Sequence, residues 1–363
     1  MRHHIQNKIS IVIPIYNELN NITILIKDLI KILNNNNFEI IVVDDGSTDG
    51  SIIEILNLCN NDHRINIIQR MNDRGLVQSI KFGIQSISGE FFIVMDGDGQ
   101  HDPNDINKML NLIKHKDLII GDRNLKKLET ITPIRKLASI ICNHVINIIL
   151  RTQLKDPLTG FFMGRSSILN KKFFNMNTEG FKILIDLVYS NKNKILIDEV
   201  MINFRNRKFG ESKLDSRIAF SFVTQMISLS LFGLISSKFI GFSLIGITGL
   251  LVHASIFYFL INIDLSFFLS FLISTIFATF NNFFLNHFFN FVHSSGCKSK
   301  KVFIYSLTKY FLITLPGTIT SIGASNFIYT EYNLGILLPA FIGITMDITF
   351  KYFLSKKWVW GNY

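Results

Sequence analysis

The feature that most constrains this chain is a change in charge density near residue 217. Residues 1–217 carry 29 basic and 24 acidic side chains, whereas the 146 residues from 218 onward carry eight Lys and three acids. The later part also holds 23 of the 34 Phe. A stretch this long, apolar and nearly free of charge is typical of membrane-embedded helices. We therefore predict a soluble domain followed by a membrane domain.

The overall composition excludes several classes of protein. With 48% hydrophobic residues the chain is too apolar to be disordered. Its three cysteines, Cys59, Cys142 and Cys297, lie far apart, which argues against a disulfide scaffold or a cysteine zinc site and suits a reducing compartment. The net charge of +10 is spread over loops that flank apolar stretches, so a nucleic-acid partner is not expected.

Short β-branched runs alternate with helix-like segments in the first part of the chain. The expected strands cover residues 9–15, 38–43, 65–68, 91–95 and 117–121. The first run is too short and lacks the small-residue cleavage site of a signal peptide. This alternation predicts an α/β fold with a mostly parallel sheet covered on both faces. Such sheets bind ligands beyond the carboxyl ends of their strands.

Four later stretches are long enough to cross a bilayer. They cover residues 239–261, 265–292, 302–329 and 334–354. The loop 293–301 carries three lysines and Lys356–Lys357 flank the last stretch, while the other two loops carry Asp264 and Glu331. The positive-inside rule therefore predicts a multi-pass inner-membrane protein with both termini and the soluble domain in the cytoplasm.

Two shorter apolar segments are predicted to lie in the membrane interface. Residues 218–235 have basic residues at both ends, which favours an in-plane helix over a spanning one. Residues 133–150 carry apolar side chains at helical spacing. The predicted domains are a catalytic domain 1–213, an interfacial helix 214–237 and a transmembrane domain 238–363 of four helices. The sequence leaves open whether 214–237 spans the membrane.

Two similar segments end the second and fourth predicted spans. Asn282–Phe291 reads NFFLNHFFNF and Lys351–Trp360 reads KYFLSKKWVW. Both place aromatic and polar residues at the predicted cytoplasmic boundary. A faint internal repeat and an ordinary interfacial belt of aromatic residues explain this equally well.

The strongest chemical signal is MDGDGQHDP at Met95–Pro103, directly after an expected strand. Asp96, Asp98 and Gln100 offer hard oxygen ligands of the kind that Mg²⁺ or Mn²⁺ prefers. An EF-hand is excluded because His101 stands where that loop needs its sixth-position Gly. Carboxylates gathered at one edge of a sheet repel one another unless a cation or a donor-rich ligand is present, and a metal ion that bridges a diphosphate would meet this need. Neither a Walker sequence nor GxGxxG occurs, so a Gly-rich loop is not expected to hold the phosphates. An Asp-rich surface turn is the plainer alternative.

Several ordered motifs resemble family 2 glycosyltransferases of the GT-A fold: PIYNE at Pro14–Glu18, DDGSTD at Asp44–Asp49 and DGDGQ at Asp96–Gln100. DPLTGF at Asp156–Phe161 and RKFGESK at Arg207–Lys213 narrow the resemblance to dolichyl-phosphate (polyprenyl-phosphate) mannose synthases. The later part resembles the GtrA-like domain fused to many of these enzymes. The resemblance implies a GT-A domain followed by interfacial and transmembrane helices.

The resemblance also assigns roles to residues. The nucleoside-binding positions are matched by Pro14, Tyr16, Glu18, Val43 and Asp45. The metal positions are matched by Asp96, Asp98 and Gln100, with Gly97 beside the ribose-diphosphate. The lipid-phosphate pocket is matched by Arg123, Arg135, Ser139 and Arg207. Arg123, Arg207 and Lys213 also face the donor diphosphate, and we expect Asp98, Arg123 and Arg207 to carry catalysis.

Two departures from the family pattern stand out. The family usually has DADLQ where this chain has DGDGQ, which predicts a looser turn with the same ligands. The spacing between Arg123 and Arg135 is slightly short, so the direction of Arg135 is less well defined by the resemblance.

The implied reaction is an inverting, metal-dependent transfer of a sugar, with mannose from GDP-mannose favoured, to a polyprenyl (dolichyl or undecaprenyl) phosphate. A phosphomonoester has a second pKa of about 6, so the acceptor is already an anion and no general base is expected. Alternatives are UDP-glucose or UDP-N-acetylglucosamine as donor, or a flippase for lipid-linked sugars with a docking domain. The sequence leaves open the oligomeric state and whether the membrane domain moves lipid or only anchors.

Overall fold

The computed structural model describes residues 7–71, 75–124, 133–175, 183–191, 194–205, 216–231, 234–291, 300–332 and 348–360. The chain divides into two compact units, Met1–Lys213 and Leu214–Tyr363. The first is an α/β unit and the second consists of helices in the part that the structure describes.

The first unit is built on a seven-stranded sheet with the order β3-β2-β1-β4-β6-β5-β7. Its strands are β1 (Ile9–Ile15), β2 (Phe38–Asp44), β3 (Ile65–Gln69), β4 (Phe91–Val94), β5 (Leu118–Asp122), β6 (Phe162–Arg165) and β7 (Ile197–Met201). Only β6 runs antiparallel to its neighbours. The prediction of a mostly parallel sheet is therefore confirmed, and the five predicted strands are all present. Strands β6 and β7 were not predicted.

Helices cover both faces of the sheet, because its central strands are mostly apolar and buried along their whole length. All residues of β1 and β2 are buried, as in parallel strands covered on both faces. The helices of this unit are α1 (Leu19–Leu33), α2 (Ser51–Asn61), α3 (Leu76–Gln85), α4 (Ile106–Leu112), α5 (Pro133–Leu150), α6 (Lys171–Asn175) and α7 (Ile183–Ser190). Helix α1 buries Ile22, Leu25, Ile26 and Leu29, the spacing of one helix face.

The second unit contains α8 (Ser216–Ser230), α9 (Ser237–Asn262), α10 (Phe267–Leu285), α11 (Lys300–Tyr332) and α12 (Ile348–Leu354). Serines begin two of these helices. The Ser236 hydroxyl accepts a hydrogen bond from the Phe239 N–H at the start of α9, and Ser266 accepts one from Leu269 at the start of α10. These bonds satisfy backbone donors that a helix leaves unpaired at its first turn.

Two helices in the described part of the chain are long and apolar enough to cross a membrane, Ser237–Asn262 and Phe267–Phe291. They coincide with the first two predicted spans. The third predicted span lies within α11, and the fourth is described only from residue 348 onward. The count of four spans therefore stays a prediction.

The two similar segments share a local structure. Helix α10 continues into a π-helical turn at Asn286–Phe291, and α12 continues into another at Ser355–Val359. The rings of Phe291 and Trp360, which end the two segments, stack with their centres 4.2 Å apart and their planes 6° apart. Both side chains are buried. These two buried rings therefore do not belong to an aromatic belt that faces lipid, and the internal repeat stays a prediction.

Candidate active site

The carboxyl ends of three parallel strands bring the predicted motifs to one edge of the sheet. Pro14 near the end of β1 lies opposite Val43 of β2, and β4 runs parallel to β1 on its other side. The turn that carries Asp96 therefore leaves at the same edge. Gly97 allows this turn to approach β1 closely, since a Cβ there would lie 2.7 Å from Ile15 Cγ2.

The loops after β1 and β2 are joined by hydrogen bonds. Asn17, in a left-handed conformation with φ 56°, donates its N–H to the Ser47 hydroxyl over 2.8 Å. Its side-chain oxygen accepts the Thr48 N–H over 2.8 Å. The N–H of Leu19 donates to the Asp49 carboxylate over 3.0 Å. The loops with the predicted nucleoside-binding residues therefore form one hydrogen-bonded unit.

Two acids of these loops are fixed by local donors. Burial raises the pKa of Asp49, but hydrogen bonds from Ser51 and from the Leu19 N–H outweigh it, so the pKa lies below its ordinary value. Glu18 donates its N–H to the Ser51 hydroxyl over 3.1 Å and accepts the Asn21 amide over 2.7 Å. Glu18 is thus held at the start of α1.

Asp45, a predicted nucleoside ligand, has two protein partners. Arg70 Nη1 lies 2.9 Å from its Oδ1, and the Gly75 N–H donates to its Oδ2 over 2.6 Å. Arg70 is buried and also donates to the Ser79 hydroxyl over 2.8 Å. Any group that hydrogen-bonds to Asp45 therefore lies next to the fixed cation of Arg70. The sequence analysis did not predict a role for Arg70.

Residues 96–100 form an acidic turn after β4. The Gln100 N–H donates to Asp98 Oδ1 over 3.1 Å, and the Gln100 side-chain Nε2 donates to the Arg205 carbonyl over 3.3 Å. This bond directs the amide nitrogen toward Arg205 and leaves the amide oxygen for a ligand. Gly160 is required beside the turn, because a Cβ there would collide with the Asp96 carboxylate.

The predicted metal ligands fit a divalent cation by their donor chemistry. Asp96, Asp98 and Gln100 provide carboxylate and amide oxygens, the donors that Mg²⁺ and Mn²⁺ prefer. Gly99 adopts φ 73°, a conformation that glycine takes without strain. Within the described ranges, no three His, Cys, Asp or Glu side chains gather as a complete cage. A cation here needs further oxygens from a ligand or water.

His101 lies directly behind the acidic turn. Its ring is 2% exposed, and its Nε2 lies 3.3 Å from Asp96 Oδ2. The rings of Phe161 and Phe204 contact it at centre distances of 5.1 and 5.5 Å. The sequence signal for this residue was its place in the motif after Gln100, but no role was predicted for it.

Arg123, a predicted catalytic residue, forms a two-pronged ion pair with Asp156. Its Nε lies 2.6 Å from Oδ2 and its Nη2 lies 2.8 Å from Oδ1. Burial lowers the pKa of the Arg123 guanidinium, but hydrogen bonds and the negative charge of Asp156 outweigh it and raise the pKa. Asp96 and Asp122 act in the same direction. Arg123 is therefore a permanent cation within electrostatic reach of the acidic turn.

The other predicted phosphate-binding residues are less fully described. Ser139 is half-buried on α5. Arg135 belongs to the same helix, but its side chain lies outside the described residues. Arg207 and Lys213 also lie outside them. Of the predicted pocket for a lipid phosphate, the structure therefore places Arg123 and Ser139.

A mostly parallel sheet with an acidic turn at its carboxyl edge is the arrangement that the resemblance to GT-A glycosyltransferases implied. The family described as "Glycosyl transferase family 2" matches residues 10–175. The family described as "GtrA/DPMS, transmembrane domain" matches residues 241–360. The predicted combination of two family domains in one chain is confirmed.

Curated relatives narrow the assignment. The dolichol-phosphate mannosyltransferase of Pyrococcus furiosus is 32% identical over 263 residues, 71% of this chain and 74% of that protein. The enzyme of the same name from Mycosarcoma maydis is 32% identical over 53% of this chain and 67% of its own length. The enzyme of the same name from Saccharomyces cerevisiae is 28% identical over 61% of this chain and 87% of its own length. The chain therefore belongs to the dolichol-phosphate mannosyltransferase-like members of glycosyl transferase family 2, and it is a glycosyltransferase.

A solved structure is also similar. Glucosyl-3-phosphoglycerate synthase from Mycobacterium tuberculosis matches 62% of this chain and 80% of its own with a TM-score of 0.47 and 15% identity.

Proposed function

We propose that this enzyme transfers mannose from GDP-mannose to the phosphate of a polyprenyl phosphate, dolichyl or undecaprenyl, at the cytoplasmic membrane face. The observation that carries the proposal is the juxtaposition of an acidic turn, with Asp96 and Asp98, and the fixed cation Arg123. The acidic turn suits a cation-bound diphosphate, and Arg123 suits a phosphate anion. The name shared by the three relatives supports mannose and a lipid phosphate.

Asp96, Asp98 and Gln100 would hold a Mg²⁺ or Mn²⁺ ion. When bound, the ion neutralises the diphosphate that leaves from the donor. The chain's contribution is to orient the ligands. Gln100 is held by the Arg205 carbonyl, and Gly160 leaves room for the Asp96 carboxylate.

The donor nucleoside lies, in this proposal, against the two joined loops at the ends of β1 and β2. The residues that contact it are Pro14, Tyr16, Glu18, Val43 and Asp45, with Gly97 beside the ribose-diphosphate. Arg123, Arg207 and Lys213 add positive charge near the diphosphate, which stabilises the charge that develops as the bond to the sugar breaks.

The acceptor phosphate is bound by Arg123, Arg135, Ser139 and Arg207. The ion pair with Asp156 uses Nε and Nη2 of Arg123, and we assign its Nη1 edge to the phosphate. The second pKa of a phosphomonoester is about 6, so its oxygen attacks without a general base. A new bond forms to the anomeric carbon while the bond to the donor diphosphate breaks, with inversion at that carbon.

Membrane attachment keeps the acceptor's tail in lipid while its phosphate reaches the site. Helix α5 exposes Ile140, Ile141, Val145 and Ile148, an apolar face suited to the interface. Helix α8 has 15 residues, about 22 Å at 1.5 Å per residue. It is too short for a hydrocarbon core of about 30 Å, so we propose that it lies in the interface. Four later helices span the bilayer, with both termini in the cytoplasm.

The test uses the full chain in detergent with undecaprenyl or dolichyl phosphate and Mg²⁺ or Mn²⁺. Labelled GDP-mannose, UDP-glucose and UDP-N-acetylglucosamine are supplied in parallel. We expect label to enter the lipid fraction from GDP-mannose and EDTA to abolish it. Transfer from a UDP-sugar would keep the mechanism and replace the donor. Transfer from none of them would contradict the proposal and favour lipid-linked sugar movement.

A matched pair of variants tests the acidic turn. Asp98→Asn is expected to lower transfer by more than about a hundredfold, the size seen when one group that stabilises transition-state charge is removed. Asp28→Asn is the control, because Asp28 is a half-buried acid that lines the same cleft as Asp98 from α1. Equal activity of the two variants would contradict a catalytic role for Asp98.

A further inference from the structure

The chain segment after β7 lies against the acidic turn. Residues 202–205 form an antiparallel bridge between Phe204 and His101. The Arg205 N–H donates to the Gln100 carbonyl over 2.8 Å, and the Gln100 side chain donates back to the Arg205 carbonyl. This segment is therefore fixed to Gln100, one of the predicted metal ligands, by one main-chain and one side-chain hydrogen bond.

Within this segment, the ring of Phe204 has two contacts of different kinds. Its centre lies 5.5 Å from that of the His101 ring, which it meets at 64°. On its face, the Arg123 guanidinium carbon lies 5.6 Å from the ring centre. Phe204 thus touches one residue that contacts Asp96 and another that is assigned to the lipid phosphate.

The contact with His101 bears on the orientation of Asp96. The His101 ring is buried and its Nδ1 has no hydrogen-bond partner among the described residues. Its Nε2 reaches Asp96 over 3.3 Å, so polar contacts alone fix the ring poorly. The two rings that contact it, Phe161 and Phe204, must set its rotation. Loss of one ring would let His101 turn and would weaken its contact with the Asp96 carboxylate.

The contact with Arg123 completes its positioning. Asp156 binds two nitrogens in the plane of the guanidinium but does not fix the group against motion out of that plane. The Phe204 ring covers one face, where a cation is attracted to the ring electrons. The ion pair and the ring together define the direction of the remaining Nη1 edge.

We propose that Phe204 is a positioning residue for both substrates of the proposed reaction. Through His101 it orients Asp96 toward the cation that carries the donor diphosphate. Through its face it orients Arg123 toward the acceptor phosphate. The inference rests on the proposed function, and it adds a residue that touches neither substrate.

Two measurements on the full chain in detergent test this role. The first is the affinity for Mn²⁺ in the presence of GDP, from the electron paramagnetic resonance signal of free Mn²⁺. The second is the KM for undecaprenyl phosphate at saturating donor, reported beside kcat. Phe204→Leu should weaken both by about twofold to fivefold, the size of one cation–π or ring contact at a partly exposed site.

The control is Phe174→Leu, which removes another half-buried ring with an edge contact, to Phe173 at 5.1 Å. It should change neither constant. If Phe204→Leu lowers only kcat, or if Phe174→Leu shifts the constants equally, the positioning role is overturned.

His101 variants separate the two functions of Phe204. His101→Leu should weaken Mn²⁺ affinity and leave the KM for the lipid phosphate unchanged, whereas His101→Gln, which keeps an N–H donor, should restore part of the affinity. In the His101→Leu background, Phe204→Leu should no longer affect Mn²⁺ affinity but should still raise the KM. Full additivity in Mn²⁺ affinity would contradict coupling through His101.

The Mn²⁺ measurement needs no sugar transfer, so it distinguishes two failures. A wild type that binds Mn²⁺ with GDP but transfers no mannose would refute the proposed function. The Mn²⁺ affinities of the Phe204 and His101 variants would then still decide whether Phe204 positions the metal turn. A wild type that binds no Mn²⁺ would refute the metal assignment and the role of His101 with it.

Discussion

The two units of this chain stabilise buried polar groups in different ways. In the first unit, buried charges are paired across the fold, as in Asp156 with Arg123 and Asp45 with Arg70. In the second unit, many buried hydroxyls and amides bond to carbonyls of their own helix. Examples are Ser274 to Phe271, Thr314 to Phe311 and Asn286 to Asn282.

The difference follows from what surrounds each unit and what each must do. A site for phosphates needs fixed charges, and partners of opposite charge hold them in place. Charges inside a membrane are costly, whereas small residues let helices approach and amides bond between them. In the second unit Gly241 and Gly249 of α9 lie against Asn290 and Asn282. The comparison predicts that removal of a charge partner lowers the stability of the first unit most. In the second unit, the corresponding loss of stability is expected when a side chain replaces a glycine at a helix contact.

The largest expected effect is on the first unit. Asp156→Ala removes a fully buried carboxylate and leaves the Arg123 cation without this partner. Breaking a buried pair on one side costs about 3–5 kcal/mol, and for a unit of this size each kcal/mol lowers Tm by about 2–4 °C. We expect the Tm of the first unit to fall by about 6 °C or more in thermal unfolding of the full chain in detergent.

Asp62→Ala provides the control for that variant. Arg64 binds Asp62 through the same two-pronged geometry, with 2.9 and 2.7 Å contacts, but the Arg64 side chain is 39% exposed. Exposed pairs contribute about 0–1 kcal/mol. A similar drop in Tm for both variants would show that burial does not decide the contribution of the charge pair.

The next effect is on the second unit. A Cβ at Gly249 would collide with the side chain of Asn282, so Gly249→Val should separate α9 from α10. Overpacking of this kind costs about 1–3 kcal/mol. Gly246→Val is the control on the same helix, because no atom lies within 4 Å of a Cβ there. Thermal unfolding in detergent should show a lower Tm for Gly249→Val alone, and equal values would contradict close packing at Gly249.

A smaller effect concerns the stability of the first unit at low pH. Burial raises the pKa of Glu39, but hydrogen bonds from Lys8, Ser10 and Ser88 outweigh it and hold the pKa below its ordinary value of 4.5. A depressed pKa stabilises the fold fully above pH 4.5, and this contribution is lost as the pH falls through the folded-state pKa. Glu39→Gln should remove about 1 kcal/mol at neutral pH and flatten the loss of stability with acid.

Calorimetry of the full chain between pH 7 and pH 3 measures this difference. The first unit should lose Tm on acidification, while the second, with four acids in its sequence, should change little. Parallel loss in both units would contradict the contrast in how they use charge.

Much of the site could be predicted from sequence because its signals are local. The apolar runs gave the strands of the parallel sheet, and Asp96 and Asp98 follow one of them directly. The antiparallel strand β6 was missed because Phe162–Arg165 is only four residues long and has no distinctive pattern.

Contacts between distant parts of the chain left no such signal. Arg70 reaches Asp45 across 25 positions, and Arg123 reaches Asp156 across 33. Either arginine could have been a solvated surface charge on sequence alone. The roles of Arg207 and Lys213 stay predictions, because those residues lie outside the described part of the chain.

The smallest expected effect is a hydrogen bond between α9 and α10. The Asn281 amide donates to the Thr248 hydroxyl over 3.0 Å. Hydrogen bonds between membrane helices average about 0.6 kcal/mol in double-mutant cycles. Asn281→Ala should therefore lower the Tm of the second unit by only about 1–3 °C, and Asn281→Ala with Thr248→Ala should lower it by less than the sum of the two single changes. Strict additivity would mean that this bond contributes nothing and that the helices are held by the contacts at Gly249 and its neighbours.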